Sequence, residues 1–358
     1  MHMADVRKTQ NTNVTIRDVA RVAGVAIGTV SRVLHANKSV SSDVKRRVLS
    51  AIQDLKYEPN QVAQSMRLQA TKTVACATRD ISIPGFGSLV KSAQDILRSH
   101  GYTLLLAITD ENMEKEIELL RLFRQRRVDG IVMATSTEEE GDLSKMMRQL
   151  QLPFVLLDRD LPADVDAVTI DHRRGIAAAT EYLLRLGHEN IALVTGRPAM
   201  RPSRERIAGF ELAFAAAGKR VHPALVSTGG FSSDFGFRAA SALIAGSPRP
   251  TAIIAGGMGM LSGVLRAITV SGLRIPDDIS VIAGADTDLA LLATPGMTSI
   301  RWSAAEEGRL AVELLLEQIT RGPRPAQRVM IGTELVTRAS CGPPPTAAGK
   351  KRVKKLRR

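Results

Sequence analysis

Residues 15–34 read TIRDVARVAGVAIGTVSRVL, and the fold of the N-terminal part turns on this stretch. Thr15 can cap a first helix with Asp18 at its third position, a capping box built on the shorter acid. Val19, Ala20 and the pair Val22/Ala23 give that helix a small, apolar face. Gly24 then supplies a residue free to adopt positive φ, so the chain turns within a few residues instead of continuing the helix. Val25 plugs the corner. A second helix is expected from about Ala26, with Val30, Val33 and Leu34 inward and Ile27, Gly28, Thr29, Ser31 and Arg32 mostly outward. Any tight corner between two helices shows this pattern, so these positions alone do not separate DNA binding from plain packing.

The flanking residues narrow the choice. Ser41 reads as the N-cap of a third helix, with Val44, Val48, Ile52 and Leu55 at core spacing and Lys45, Arg46 and Arg47 on the polar side. A segment from Tyr57 to Arg67 follows, with Pro59 near a first helical position. It is too short to be a stable helix alone, and so is suited to fold against a partner.

Charge is distributed to match. The chain has 358 residues and a formal net charge of +13. Residues 1–72 hold 12 Lys/Arg against 5 Asp/Glu, residues 343–358 hold 7 against none, and the stretch between them holds 30 against 31. Basic character thus sits at the two ends, where a polyanion could be met. Cys76 and Cys341 are too few and too far apart for a disulfide framework or a metal knuckle, and no metal-ligand spacing occurs elsewhere. Residues 1–13 are polar and lack the apolar stretch of a signal peptide, and no window approaches the ~18 apolar residues of a membrane span. A cytoplasmic, nucleoid-associated protein without a membrane partner is expected.

From Thr73 onward, apolar runs alternate with amphipathic stretches. Runs 74–77, 103–106, 130–133 and 154–157 read as parallel strands buried on both faces, with helical spacing at 89–99 and 114–126 between them. A second set follows Asp171, with strands near 191–195, 252–255 and 280–283 and helices near 175–186, 206–217 and 259–270. Two such sets imply two doubly wound lobes with a ligand cleft at the carboxyl ends of their strands.

The runs VTIRDVARVAGVAIGTVSRVL and VSSDVKRRVLSAIQDLKYEPNQVAQSM closely resemble the headpiece and hinge of the LacI (lactose-repressor) family. HGYTLLLAITD, RRVDGIVM, ATEYLLRLGHENIALVTG, RERIAGF and GLRIPDDISVI extend the resemblance to about Cys341. It implies an all-α helix-turn-helix headpiece joined to an α/β periplasmic-binding-protein-like effector domain of two doubly wound lobes. The expected boundaries are a disordered arm at 1–13, a DNA-binding domain at 14–58, a hinge helix and linker at 59–72, the effector-binding and dimerisation domain at 73–342 and a basic disordered tail at 343–358. The implied function is a transcription repressor that binds operator double-stranded DNA as a homodimer under control of a small-molecule effector. Neither a cofactor nor catalysis is implied.

Carried over by position, the resemblance gives Ile27, Gly28 and Arg32 to base edges, with Arg32 suited to guanine and Ile27 to a thymine methyl. Thr15, Thr29, Ser31 and Asn37 become candidates for phosphate contacts. In the hinge, Val62, Ala63, Met66 and Arg67 fall in the minor groove, with Met66 where a Leu wedge is usual. The implied effector residues are Phe86, Arg159, Asp171, Arg206 and Asp286.

Departures from the family's pattern shift the expected effector. Gly256-Gly257-Met258-Gly259 stands where many members have Asn-Asp, and Ala285 stands where a ligand-binding Asp is common, with Asp286 and Asp288 just beyond. Arg197, Arg201, Arg204 and Arg206 crowd a loop and helix start facing the expected cleft, with Arg79 and Arg159 at other strand ends. A sugar acid or other carboxylate is expected in place of a neutral sugar, unless most of these arginines are solvated surface charge. A NAD-dependent enzyme is a poor alternative: Ser262 stands where the Gly257-Met258-Gly259 fingerprint wants Gly or Ala. His172 and His188 come without a Gly-x-Ser-x-Gly elbow, and His188 lies in a turn where a structural hydrogen bond is expected. An exported solute-binding protein shares the two-lobed fold but has no use for the headpiece.

Overall fold

The computed structural model describes residues 14–34, 40–57, 70–160 and 162–345. The chain separates into two compact units, 1–71 and 72–358.

The first unit contains α1 (Ile16–Ala23), α2 (Ile27–Leu34) and α3 (Ser42–Asp54). Thr15 donates to Asp18 Oδ2 from its backbone N–H at 3.0 Å and from its hydroxyl at 2.7 Å, which fixes the start of α1. Gly24 ends that helix with φ 62° and ψ 41°, a left-handed conformation that costs glycine least. Val25 N–H then returns to Ala20 O at 3.0 Å, so α2 leaves in a new direction immediately. Val19, Ala20, Ala23, Val30, Val33, Val48 and Ala51 form one cluster. Each fully buried valine contributes roughly 1.5–2 kcal/mol, enough to hold three short helices that would not form singly. Val22 faces away, 54% exposed.

The second unit has two sheets. The first runs in the order β11 (Arg328–Ile331), β5 (Asp166–Ile170), β4 (Phe154–Leu157), β3 (Gly130–Met133), β1 (Thr73–Thr78), β2 (Thr103–Ile108), all parallel. Helices α4 (Phe86–Ser99), α5 (Met113–Gln125), α6 (Asp142–Leu150) and α12 (Ala304–Arg321) cover it. The second sheet runs β12 (Glu334–Val336), β10 (Thr298–Arg301), β9 (Ser280–Ala283), β8 (Ala252–Ala255), β6 (Ile191–Gly196), β7 (Val226–Gly229), with only β12 antiparallel. Its helices are α7 (His172–Arg185), α8 (Arg201–Ala216), α9 (Ser233–Ala245), α10 (Met260–Val270) and α11 (Asp288–Leu292).

The chain crosses between the lobes three times: from β5 into α7 at Asp171, from β10 into α12 at Trp302 and Ser303, and from β11 into β12 at Gly332 and Thr333. β1, β3 and β4 are buried as their apolar runs predict. β2 is not. It lies at the sheet edge with Leu105, Leu106 and Ile108 exposed by 37%, 40% and 42%, because an apolar run reads alike whether its strand is central or lateral.

The ordered packing also extends past the expected start of the tail at 343. His188 donates from Nε2 to Gly342 O at 2.8 Å while Nδ1 meets Thr251 Oγ1 at 2.8 Å, and Pro344 lies against Gly187. Residues 346–358 lie outside the described residues.

Candidate nucleic-acid interface and interlobe cleft

On α2, positions 28 and 32 stand opposite the buried Val30, since a helix advances about 100° per residue. Arg32 is exposed and its Nε donates to Gly28 O at 3.3 Å along the helix. A Cβ added to Gly28 would meet nothing within 4 Å, so that face is open. Ile27 is 44% exposed and Thr29 half-buried. Ser31, expected outward, is buried: it lies on the flank of α2, about 100° from Val30, where neighbouring chain covers it. Thr15 gives its hydroxyl proton to Asp18, so the cap uses the donor proposed for a phosphate. Lys45, Arg46 and Arg47 are exposed, with Arg46 paired to Asp43 at 2.6 Å. Asn37, Val62, Ala63, Met66 and Arg67 lie outside the described residues.

In the second unit, a cavity of about 110 Å³ lies beside two of the three crossings, those at Asp171 and Trp302. Phe86, Arg159 and Arg206 line it, together with Asp158, His172, Phe231, Trp302 and Glu307, which sequence reasoning did not assign to it. Asp171 and Asp286 do not. The Asp171 side chain accepts from Arg174 N–H at 3.0 Å and caps α7. Asp286 accepts from Ser299 Oγ, Arg301 Nε and Arg338 Nη2, each at 2.7 Å, so its oxygens are already taken.

Asp158 is the centre of the cavity wall. Its Oδ2 meets His172 Nε2 at 2.7 Å, and its Oδ1 accepts from Arg201 Nη1 at 2.9 Å. Burial alone would raise this carboxyl, but the pairing with His172, then with Arg201 and Arg159, holds it well below the usual carboxylate range. Burial pushes His172 down, with Arg206 adding to the effect. His172 Nε2 therefore directs its proton at an ionised carboxylate. The imidazole also packs edge-on against Trp302, ring centres 5.8 Å apart.

Three of the arginines expected to face the cleft, Arg197, Arg201 and Arg204, instead clasp the lobes. Arg201, 6% exposed, donates from Nε to Asp160 Oδ1 at 3.0 Å and from its backbone N–H to Glu138. Arg204 meets Asp160 at 2.8 Å, and Arg197 donates to Ser136 O at 3.0 Å. Arg159 spends Nε on Thr135 O and Nη1 on Asp158 O. Arg206 differs from these. Its Nη1 is buried without a partner, its Nη2 has His172 Nε2 at 3.5 Å, and burial pushes its pKa down to about 10. Glu307 lines the same cavity, and burial, aided by the Asp158 charge, pushes its carboxyl up to about 8.

The signal that could have found Asp158 was its place just after β4, at the carboxyl end of a strand. Arg201 was marked by the run of arginines at the start of α8, whereas Glu307 had no comparable signal. Among the described residues, no group of three or more His, Cys, Asp or Glu could hold a metal ion, and no helix is long and apolar enough to cross a membrane.

Two family models match the chain: bacterial regulatory proteins of the lacI family over residues 15–60, and the periplasmic binding protein-like domain over 180–341. The HTH-type transcriptional repressor PurR of Photobacterium profundum is 32% identical over 91% of this chain and 98% of its own length. The ribose operon repressor of Escherichia coli is 32% identical over 91% of this chain and 99% of its own. Among solved structures, the Lac repressor dimer bound to operator and the anti-inducer ONPF superposes with a TM-score of 0.81 at 25% identity, covering 92% of this chain and all of that one.

Proposed function

The chain belongs to the LacI family of bacterial regulatory proteins, whose similar members are transcriptional repressors, and from that premise we propose how this one works. The headpiece at 14–58 places α2 in the major groove of an operator. Arg32 pairs with a guanine, Ile27 meets a thymine methyl, and Gly28 lets the groove approach the helix backbone. Thr29 contacts phosphate from the flank of α2, and the family's pattern gives Asn37 the same role. In the family's pattern the segment at 59–72 is the hinge, with Val62, Ala63, Met66 and Arg67 at the minor groove.

Two copies are needed, because one headpiece offers too little surface for operator specificity. The exposed apolar residues of β2 and of α11, where Leu291 and Leu292 are 57% and 77% exposed, support a dimer formed by the effector unit. A small-molecule effector enters the interlobe cavity, changes the angle between lobes and so shifts the spacing of the paired hinges. The cavity at the interlobe crossings, with a buried arginine lacking an acceptor, carries this reading. The His172–Asp158 pair serves as a strut between lobes, not as a catalytic dyad, and the protein acts on DNA in the cytoplasm.

The test is fluorescence anisotropy of the full-length protein on fragments from upstream of its own gene. One fragment should bind far more tightly than random duplex at near-physiological salt, as a dimer. Binding no better than random duplex would defeat the proposal.

A further inference from the structure

We infer that the effector is a small organic anion whose carboxylate takes the position now held by the Phe231 ring between Arg79 and Arg206. The inference rests on the reading of this cavity as the effector site.

Three guanidiniums line the cavity, those of Arg79, Arg159 and Arg206. Arg79 has Glu111 at 3.0 Å outside the wall, whereas the hydrogen bonds of Arg159 go to carbonyl oxygens. Arg206, only 5% exposed, has neither. Its Nη1 lacks a partner, and the nitrogen nearest Nη2 carries a proton already directed at Asp158. Of the two acids on the wall, Asp158 is shared with Arg201 and His172, and Glu307 is mostly protonated near neutrality. Arg206 is thus a buried cation whose Nη1 has no acceptor, which favours entry of an anion over a neutral molecule. The planar fork of Arg206 fits a carboxylate through two parallel hydrogen bonds.

Phe231 lines the cavity beside these cations. Its ring lies 4.7 Å from the Arg79 guanidinium and 5.4 Å from that of Arg206, so one aromatic ring serves both cations. The space it occupies exists because residues 196 and 257 are glycine: a Cβ on either would stand 2.3 Å or 2.7 Å from the ring. An aromatic quadrupole is a weak substitute for an anion, and Gly229 and Gly230 precede Phe231 on its loop. The cavity holds on the order of eight water-sized atoms before the ring moves, and protonated Glu307 can donate to a ligand oxygen. The chemical class is a compact, hydroxylated carboxylate.

The experiment is calorimetric titration of the full-length protein with pairs that differ in charge: D-glucuronate against D-glucose, and L-lactate against L-lactamide. At least one acid should bind about tenfold or more tightly than its neutral counterpart. Phe231→Leu should tighten that acid by removing the ring's competition, and Arg206→Gln should abolish it. Should Arg206→Gln not fold, Arg206→Lys, which keeps charge but loses the fork, should weaken the acid about tenfold or more. Equal or tighter binding of the neutral member overturns the inference, as does failure of both acids to bind protein that still binds its operator, or an unchanged affinity in Phe231→Leu. Loss of sequence-selective DNA binding in the unmodified protein would instead defeat the regulator reading itself.

Discussion

Arg201, at the start of α8 in one lobe, donates to Asp158, at the end of β4 in the other, with 2.9 Å between Nη1 and Oδ1. Both are largely buried, at 7% and 15% side-chain exposure, so water compensates little if either is lost. Arg201→Met should destabilise the effector unit by about 3–5 kcal/mol, because it strands Asp158 with one partner fewer. Calorimetry should show a thermal midpoint roughly 10 °C lower. Asp158→Asn on the same background should recover part of the loss, which a double-mutant cycle would measure.

Glu307 sets a pH dependence with a definite sign. Its ordinary value is 4.5, and in the folded protein it lies at about 8. Below the first value both states hold the proton and burial costs nothing through ionisation. As pH rises from there to about 8, the unfolded chain releases a proton that the folded chain keeps, so stability falls; above that range the loss is complete. Glu307→Gln should therefore gain over the parent across that window and then level off, on the order of 5 kcal/mol. Guanidinium unfolding at mildly acidic, neutral and alkaline pH checks this, and a difference independent of pH would contradict it.

Arg32→Ala should leave the headpiece's thermal midpoint unchanged, since the side chain is exposed and its one recorded hydrogen bond is to its own helix. Discrimination at one base pair per half-site should drop by about 1–3 kcal/mol, while binding to random duplex changes little. Competition anisotropy against single-base operator variants makes the measurement.

Gly28→Ala separates folding from recognition. Nothing stands within 4 Å of the added methyl, so the helix should gain roughly 0.5–1 kcal/mol from the better helix former. The same methyl stands on the face proposed to meet the bases, so operator affinity should fall. A rise in thermal midpoint accompanied by a rise in Kd is the expected pair of results.

The headpiece was legible because its determinants are local. A cap, a glycine with positive φ and three short apolar faces all lie within 41 residues of one another, and Gly24, Val30 and Val48 behave as their spacing predicts. The cleft was legible only where a residue's own environment marks it. Phe86, Arg159 and Arg206 reach the cavity, whereas Asp171 and Asp286 find nearer partners in a helix end and two arginines. Asp158 takes one partner 14 residues away and another 43 away, and no periodicity in a single chain encodes such pairings. The exposed side of β2 went unseen for a related reason, since hydrophobicity does not say which strand a sheet places last.

The two lobes are joined by three parallel threads of backbone, at Asp171, at Trp302 and at Thr333. A single thread would act as a swivel, free to turn in every direction. Three side by side act as a strap, which bends readily about one axis and resists torsion. A molecule that closes this gap can therefore speak to the rest of the protein through one angle, and its occupancy becomes a single mechanical coordinate.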